Sequence, residues 1–232
     1  VFKLLSEIAE EKGIETYVIG GFVRDILLHR PSKDIDIVVH GNGIALAEAA
    51  AKRLGNLTVS VFKNFGTAMF RYKGMEIEFV GARRESYRAD SRKPIVEEGS
   101  IEDDQRRRDF TINALCWHPD LGLRDYFHGQ RDLKNKVIAC IGNPYQRFNE
   151  DALRILRALR FASTLGFALN LGTRQALFHQ KELLRVLSAE RIAREMEKMV
   201  VGLRWPEIFA NNYEILAVLF PQLPALQSPQ AI

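Results

Sequence analysis

The chain has 232 residues, of which 47% are hydrophobic and 27% are charged, a composition typical of globular proteins with one large domain or two smaller ones. The formal net charge is only +4, and no apolar run approaches the roughly 18 residues of a membrane-spanning helix, so we expect a cytoplasmic protein with no membrane partner. The two cysteines, Cys116 and Cys140, are too few and too widely spaced for a disulfide framework or a zinc site, and both are expected to be buried.

The first predicted elements are a helix over residues 1–12 and a short buried strand over residues 17–19. The strand ends at Gly20 and Gly21, and a second helix is expected to follow at once. Residues without a Cβ let the backbone approach a bulky anion, and the N–H groups at the start of a helix point towards it. Arg24 can add a positive charge, so the segment indicates a phosphate-binding turn. Its ordinary alternative is a tight turn without function.

Two carboxylates follow on the next predicted strand. Acidic and apolar residues alternate from Asp34 to Val39, so a strand places Asp34 and Asp36 on one face and the apolar residues behind them. Two carboxylates this close repel each other, whereas a bound Mg²⁺ keeps both ionised. The strand therefore predicts a metal site beside the phosphate turn, although a solvated strand face is the alternative.

The next elements are a helix over residues 44–54 and strands over residues 58–62, 67–72 and 75–80. On the last strand the apolar residues should face the core, which leaves Glu76 and Glu78 on the other side, where one of them can complete the metal site.

Residues 83–105 are polar and charged and predict a long mobile loop. Residues 106–115 then combine three arginines with an apolar stripe at helical spacing, which makes them a candidate phosphate or ribose clamp.

From about residue 149 the pattern predicts helices throughout, after a boundary near residues 142–144. Asp151, Arg154 and Arg157 follow one another at intervals of three and would lie along one edge of a helix. They form either a ligand-binding edge or an ordinary exposed ion pair. The basic surplus of the chain falls in residues 147–207 and faces either a polyanion or solvent.

Five motifs, taken in order, resemble those of the class II tRNA nucleotidyltransferase and bacterial poly(A) polymerase family, which belongs to the DNA polymerase β superfamily. They are residues 20–25, 34–36, 107–114, 150–154 and 188–192. The resemblance implies an α/β catalytic head of the nucleotidyltransferase fold, with a mixed β-sheet and flanking helices, followed by an all-α neck that recognises the nucleobase and by the start of a helical body. The implied ranges are 1–140, 141–205 and 206–232, and we expect the chain to be part of a longer protein.

The resemblance also implies a two-metal reaction in which the 3′-hydroxyl of RNA attacks the α-phosphate of a nucleotide and pyrophosphate leaves. Asp34 and Asp36 would hold Mg²⁺, and Glu78 would be the third catalytic carboxylate. The implied nucleotide-binding residues are Gly20, Gly21, Arg24, Arg108, Asp109, Asn113, Asp151, Arg154 and Arg157.

Asp151 and Arg154 match the positions at which this family selects the base. A carboxylate accepts a hydrogen bond from the exocyclic amino group of cytosine or adenine, and a guanidinium donates to the neighbouring ring nitrogen. Guanine and uracil present a carbonyl where the carboxylate needs a donor, so the pair would admit C and A and reject G and U.

The sequence therefore predicts an enzyme that uses CTP and ATP to add CCA to the tRNA 3′ end. Residues 61–67 lack the Gly-basic-basic-Phe signature typical of poly(A) polymerases, and the loop over residues 83–105 has the full length expected for A addition. Residues 125–129 and Ala139 depart from the family pattern in detail. The alternatives are an A-adding or poly(A)-adding enzyme, a non-catalytic RNA-binding fragment, and a transferase acting on a small molecule or protein side chain.

Overall fold

A computed structural model describes residues 1–63, 66–86 and 95–222. Its contacts divide the chain into two compact units, one spanning Val1–Leu133 and the other beginning at Lys134. Within the described residues, no helix combines the length and the apolar character that crossing a membrane requires. Parts of three predicted features, residues 64–65, 87–94 and 223–232, lie outside the described residues.

The first unit is built on one large mixed sheet. Its strands are β1 (Glu15–Ile19), β2 (Asp34–His40), β3 (Ser60–Phe62), β4 (Thr67–Tyr72), β5 (Met75–Gly81), β8 (Leu115–His118) and β9 (Gly122–Asp125). These seven strands have the order β3-β4-β5-β2-β1-β8-β9. Only β2 and β5 are parallel neighbours, while the other neighbouring pairs are antiparallel. The helices of this unit are α1 (Phe2–Glu11), α2 (Gly21–Leu27), α3 (Gly43–Arg53), α4 (Ile101–Arg106) and α5 (Gly129–Lys134).

One face of the sheet forms the core against α3, as the alternating patterns predict. Ile35 and Ile37 on β2 and Ile77 and Phe79 on β5 are at most 2% exposed. Gly43, at the start of α3, lies close enough to this face that an added Cβ would be 3.7 Å from Phe79. The acidic residues of β2 and β5 are thereby turned to the opposite face.

The prediction of a long loop over residues 83–105 is wrong for much of this range, which forms regular secondary structure. Strands β6 (Arg83–Ser86) and β7 (Ile95–Glu98) form an antiparallel hairpin, and α4 follows. The charges that suggested a loop face each other across the strands, with Arg84 paired to Glu97 at 2.6 Å. A capping box between Ser100 and Asp103 then starts α4.

The predicted apolar stripe over residues 106–115 does not form one helix. Helix α4 ends at Arg106, Phe110 is extended, and a single 3₁₀ turn covers Thr111–Asn113. Because Phe110 and Ile112 are fully buried, tertiary packing rather than helical spacing sets the backbone here. Cys116, on the next strand, is a buried free thiol as predicted, and so is Cys140 in the second unit.

The second unit is helical apart from one small parallel pair of strands, β10 (Val137–Ile138) and β11 (Ala168–Leu169). Its helices are α6 (Pro144–Glu150), α7 (Leu153–Leu165), α8 (Leu171–His179), α9 (Ala189–Val200) and α10 (Trp205–Leu216), with a 3₁₀ segment at Lys181–Val186. The backbone of α10 kinks at Asn212, whose side-chain amide donates to the Ile208 carbonyl at 2.8 Å.

The chain after α9 passes very close to α7. An added Cβ on Gly202 would overlap the Ser163 hydroxyl and lie 2.7 Å from the Ser163 carbonyl carbon. Ser163 cannot move away easily, because it is 1% exposed and its hydroxyl donates to the Met199 carbonyl at 2.7 Å. Only glycine fits at this crossing.

We expect Gly202→Ala to lower the free energy of unfolding by about 1–3 kcal/mol, because the added methyl group overpacks the crossing of α7 and the segment after α9. Gly172→Ala in α8 is the matched control, since its Cβ would meet only the Asn170 side chain at 3.4 Å. The control should be neutral or slightly stabilising. Urea denaturation of the two variants checks this, and equal stabilities would contradict the packing argument.

Candidate functional site

The acidic residues of β2 and β5 come together through the parallel register of the two strands. Asp36 lies opposite Glu78, and Asp34 lies opposite Glu76. Residues directly opposite on neighbouring strands point to the same face, so all four carboxylates project from the side that is turned away from α3. The structure thus brings the two predicted aspartates and the predicted third carboxylate to one face.

The electrostatics of this face disfavour full ionisation. Burial raises the pKa of Asp36, the Arg108 guanidinium opposes the shift, and the neighbouring Asp34 reinforces it. Burial also raises the pKa of Glu78, with a further increase from Asp36 and an opposing hydrogen bond from Thr67. A cation bound between the carboxylates would remove this conflict.

The donor set of this face suits a hard divalent cation. Across residues 1–63, 66–86 and 95–222, no group of three or more His, Cys, Asp or Glu side chains is arranged to hold a metal by itself. Mg²⁺, however, is usually bound by one or two carboxylates together with water and substrate phosphates rather than by a cage of protein ligands. The carboxylates of Asp34 and Asp36, with Glu78 beside them, fit that second mode.

The glycine turn lies directly beside Asp36. Gly20 ends β1 with φ +74° and ψ −138°, a conformation that is open in practice only to glycine. A Cβ at this position would lie 3.1 Å from Arg108 Nη1 and 3.7 Å from Asp36 Oδ2. Helix α2 starts at Gly21, as predicted, but it has only seven residues. The close approach of backbone, guanidinium and carboxylate is therefore the main feature of this turn.

The predicted residues Arg24, Asp109 and Asn113 form one buried network. Arg24 Nη1 donates to Asn113 Oδ1 at 2.5 Å, and Asn113 Nδ2 donates to Asp109 Oδ1 at 3.0 Å. Arg24 also donates to both carboxylate oxygens of Asp25 at 2.9 Å. Arg24 therefore holds Asn113 and the start of α2 in place, a role that the sequence alone does not reveal.

Two of the three arginines of the predicted clamp are held by a residue that the sequence pattern did not single out. Asp104 is fully buried and accepts hydrogen bonds from Arg107 Nε at 2.9 Å and from Arg108 Nη2 at 3.1 Å. Nε of Arg108 is buried and has no hydrogen-bond partner among the described residues. The signal for Asp104 was its spacing of three and four residues from the two arginines.

The second unit corrects the prediction that Asp151, Arg154 and Arg157 lie along the edge of one helix. Helix α6 ends at Glu150, Asp151 is extended with φ −148° and ψ 105°, and α7 begins at Leu153. The Asp151 carboxylate accepts a hydrogen bond from the Leu153 N–H at 3.1 Å, so its side chain competes with the helical backbone and starts a new helix.

The charged groups of this second unit are held by particular neighbours. Arg191 Nη2 lies 3.0 Å from each carboxylate oxygen of Asp151. Arg154 is 8% exposed and donates to Glu150 Oε2 at 2.9 Å, and Arg157 lies over the Phe161 ring at 5.5 Å. These partners are not evident from the sequence pattern alone.

Two regions of the chain match models of known protein families. A family model described as the poly(A) polymerase head domain matches residues 16–139, which is more than half of the chain. A second model, described as a probable RNA and SrmB-binding site of polymerase A, matches residues 166–226.

Similar proteins include a CCA-adding enzyme of Lactobacillus delbrueckii subsp. bulgaricus, 40% identical over 195 residues that cover 83% of this chain and 48% of the relative. An A-adding tRNA nucleotidyltransferase of Aquifex aeolicus is 39% identical over 222 residues, covering 84% of this chain and 27% of the relative. The solved structure of the Thermotoga maritima CCA-adding enzyme complexed with tRNA matches with a TM-score of 0.81 and 34% identity, over 95% of this chain and 52% of that one. The chain thus spans about half the length, or less, of the relatives it matches.

We expect Asp36→Asn to become progressively more stable than the wild type as the pH rises from about 4, near the ordinary pKa of aspartate. The raised pKa means that the folded state binds the proton more readily than the unfolded state, so ionisation of Asp36 costs stability with rising pH until the raised pKa is passed. The asparagine variant does not titrate at this position. Thermal unfolding between pH 4 and 8 without divalent ions measures the difference.

Glu48→Gln, which removes an exposed carboxylate on α3, controls for the change in net charge. Millimolar Mg²⁺ should raise the melting temperature of the wild type more than that of Asp36→Asn. Parallel pH profiles for wild type and Asp36→Asn would show that ionisation of Asp36 does not lower the stability of the fold.

Proposed function

Because this chain belongs to the family of the poly(A) polymerase head domain, we propose that it is a tRNA nucleotidyltransferase that adds CMP and AMP to the 3′ end of tRNA. The observation that carries the proposal is the position of Asp36, which lies between the Gly20 turn with Arg108 on one side and Glu78 on the other. The names of the similar enzymes support tRNA as the acceptor. Since tRNA and nucleoside triphosphates are intracellular, a cytoplasmic location is part of the same proposal.

In the proposed reaction, the 3′-oxygen of the RNA forms a bond to the α-phosphorus of CTP or ATP, and the bond to the bridging oxygen breaks so that pyrophosphate leaves. Asp34 and Asp36 would hold Mg²⁺, which supplies positive charge to the phosphates and makes the hydroxyl a better nucleophile. Glu78 stands beside them as the third carboxylate. Burial raises the pKa of Asp36 and of Glu78, so a bound cation favours full ionisation of these two carboxylates.

The remaining predicted residues of the first unit orient the nucleotide. Arg108 lies beside Gly20 and Asp36, and its guanidinium would stabilise negative charge that develops on the phosphates. Asp104 fixes that guanidinium in place. Asn113 and Asp109, tied to Arg24, present side-chain polar groups suited to the ribose hydroxyls.

Base selection is assigned in this proposal to Asp151 and Arg154 of the second unit. Their orientations are restricted by Arg191 and Glu150 respectively, which suits groups that read hydrogen-bond patterns. Arg157, one turn further along α7, is the third proposed contact.

Addition of A alone is the second candidate, and the 39% identity to an A-adding enzyme favours it. Both candidates use the same catalytic carboxylates, so only the product distinguishes them.

The whole chain is incubated with CTP, ATP, Mg²⁺ and a tRNA that lacks its CCA end. The tRNA should be extended by C, C and A, as read by sequencing of the 3′ ends. Asp36→Asn should reduce the rate at least about 1,000-fold, because a carboxylate that holds the metal is lost. Extension only of tRNA that already ends in CC would favour the A-adding candidate, and a long A tail would favour a poly(A) polymerase. RNA binding without any extension would refute catalysis by this chain.

Asp151→Ala and Arg154→Ala should each reduce the preference for CTP over UTP, and for ATP over GTP, by about 10-fold or more, because one side of the base-reading pair is lost. The ratio of kcat/KM values measures this preference. Arg185→Ala, which removes an exposed arginine of the same unit, is the control. The Mg²⁺ dependence of all three variants should match the wild type, and unchanged preferences would reject the assignment.

A further inference from the structure

A pocket of about 420 Å³ opens beside Glu78 on the carboxylate face of the first unit. Its lining includes Phe62, Thr67, Glu78, Val80, Arg83 and Arg107. The register places Phe62 opposite Thr67, and Thr67 opposite Val80, so the strand residues of the pocket share the face of Glu78. The proposed function assigns no ligand to this space.

The strand order fixes on which side of Asp36 the pocket lies. Gly20 follows β1, Asp36 is on β2, Glu78 is on β5, and Phe62 is two strands beyond it on β3. With neighbouring strands about 4.8 Å apart, the glycine turn and the pocket lie on opposite sides of the catalytic aspartates.

This arrangement matters because the entering and leaving oxygens of a phosphoryl transfer lie roughly in line, on opposite sides of phosphorus. If the triphosphate occupies the side of Gly20 and Arg108, as the proposed function requires, pyrophosphate leaves on that side. The attacking hydroxyl must then approach from the side of Glu78 and the pocket.

We propose that this pocket binds the 3′-terminal nucleotide of the acceptor RNA, with Phe62 stacking on its base and with Arg83 and Arg107 binding its phosphate. The inference rests on the proposed function and names the site of its second substrate. It assigns the task of placing the attacking hydroxyl to Phe62 and Arg83, which lie outside the five motifs, and to Arg107, at the start of the third motif.

The apolar part of the pocket suits a nucleobase. Phe62 is the last residue of β3, and 45% of its surface is accessible, so its ring is available for contact with a ligand. Exposed aromatic rings next to cationic groups are the common platform for the bases of single-stranded RNA, because every base offers a flat face for stacking. Val80 adds apolar surface beside the ring.

The polar part of the pocket suits a phosphate. Arg83 and Arg107 both line the pocket, and burial lowers the pKa of Arg107, with a smaller contribution from the charge of Arg83, while Asp104 opposes the shift. Two neighbouring guanidinium groups repel each other and gain when an anion binds between them. Asp104 holds Arg107 in position through Nε at 2.9 Å, so this cation is already oriented before a ligand arrives.

The test measures RNA binding without catalysis, using an RNA hairpin whose 3′-terminal nucleotide is pyrrolocytidine, a fluorescent base that is quenched when it stacks. Titration with the wild-type chain in the absence of nucleoside triphosphates should quench the fluorescence. Phe62→Tyr should retain the quenching, whereas Phe62→Ala and the apolar control Phe62→Leu should lose it and weaken the Kd about 10-fold. Phe62 is half exposed, so these changes should leave the fold intact.

Arg83→Ala should weaken binding of the same hairpin. The slope of the logarithm of the association constant against the logarithm of the salt concentration should become shallower by about one unit, because one phosphate contact is lost. Arg53→Ala, which removes a cation of α3 that does not line the pocket, should change neither quantity. In steady-state assays, Phe62→Ala should raise KM for tRNA about 10-fold and leave KM for CTP unchanged.

The outcomes separate this inference from the proposed function. A wild-type chain that extends tRNA, combined with unchanged hairpin binding and unchanged quenching in the Phe62 and Arg83 variants, would overturn the inference alone. An increase in KM for CTP instead of tRNA would also overturn it, because the pocket would then belong to the incoming nucleotide. A wild-type chain that neither binds nor extends RNA would overturn both.

Discussion

The parallel pairing of β2 with β5 is the constraint on which the carboxylate site depends. Ile35 and Ile37 on one strand and Ile77 and Phe79 on the other are buried under α3, so the hydrophobic core holds the register. A slip of one residue would turn these apolar side chains to solvent and the carboxylates into the core. The positions of Asp36 and Glu78 are therefore fixed by the same contacts that stabilise the sheet, and no separate device is needed to align them.

The arginines of the site have a buried carboxylate as a partner, whereas the carboxylates of β2 and β5 face one another. Asp104 is buried between two arginines and stabilises both, whereas burial, reinforced by neighbouring carboxylates, raises the pKa of Asp36 and of Glu78. The cationic side of the site is thus already organised, while the acidic side gains stability only when a cation binds. Such a division suits a protein whose ligands are a metal ion and a polyphosphate, because each ligand completes one of the two halves.

The features that sequence reasoning predicted are those that local patterns encode. The alternation of acidic and apolar residues on β2 and β5 predicts which side chains share a face. The position of Gly20 directly after an apolar run predicts a turn at the end of β1. The hairpin of β6 and β7 was missed because pairing between Arg84 and Glu97 depends on distant residues, so the same charges read as a loop. The break at Asp151 was missed because helical spacing does not show that a side chain will bond to the backbone two residues on. The contact of Arg24 with Asn113 is likewise set by packing, because the two residues are 89 positions apart in the chain.

The separation of Asp36 and Glu78 along the chain has a consequence for the kinetics of folding. The two strands that carry them are separated in the chain by α3, β3 and β4, and pairing between strands so far apart in sequence is expected to be slow. The repulsion between the carboxylates is then absent from the unfolded chain and small in the transition state. It is expected to act mainly by accelerating unfolding, so that a bound cation would prolong the lifetime of the folded head more than it would speed its formation.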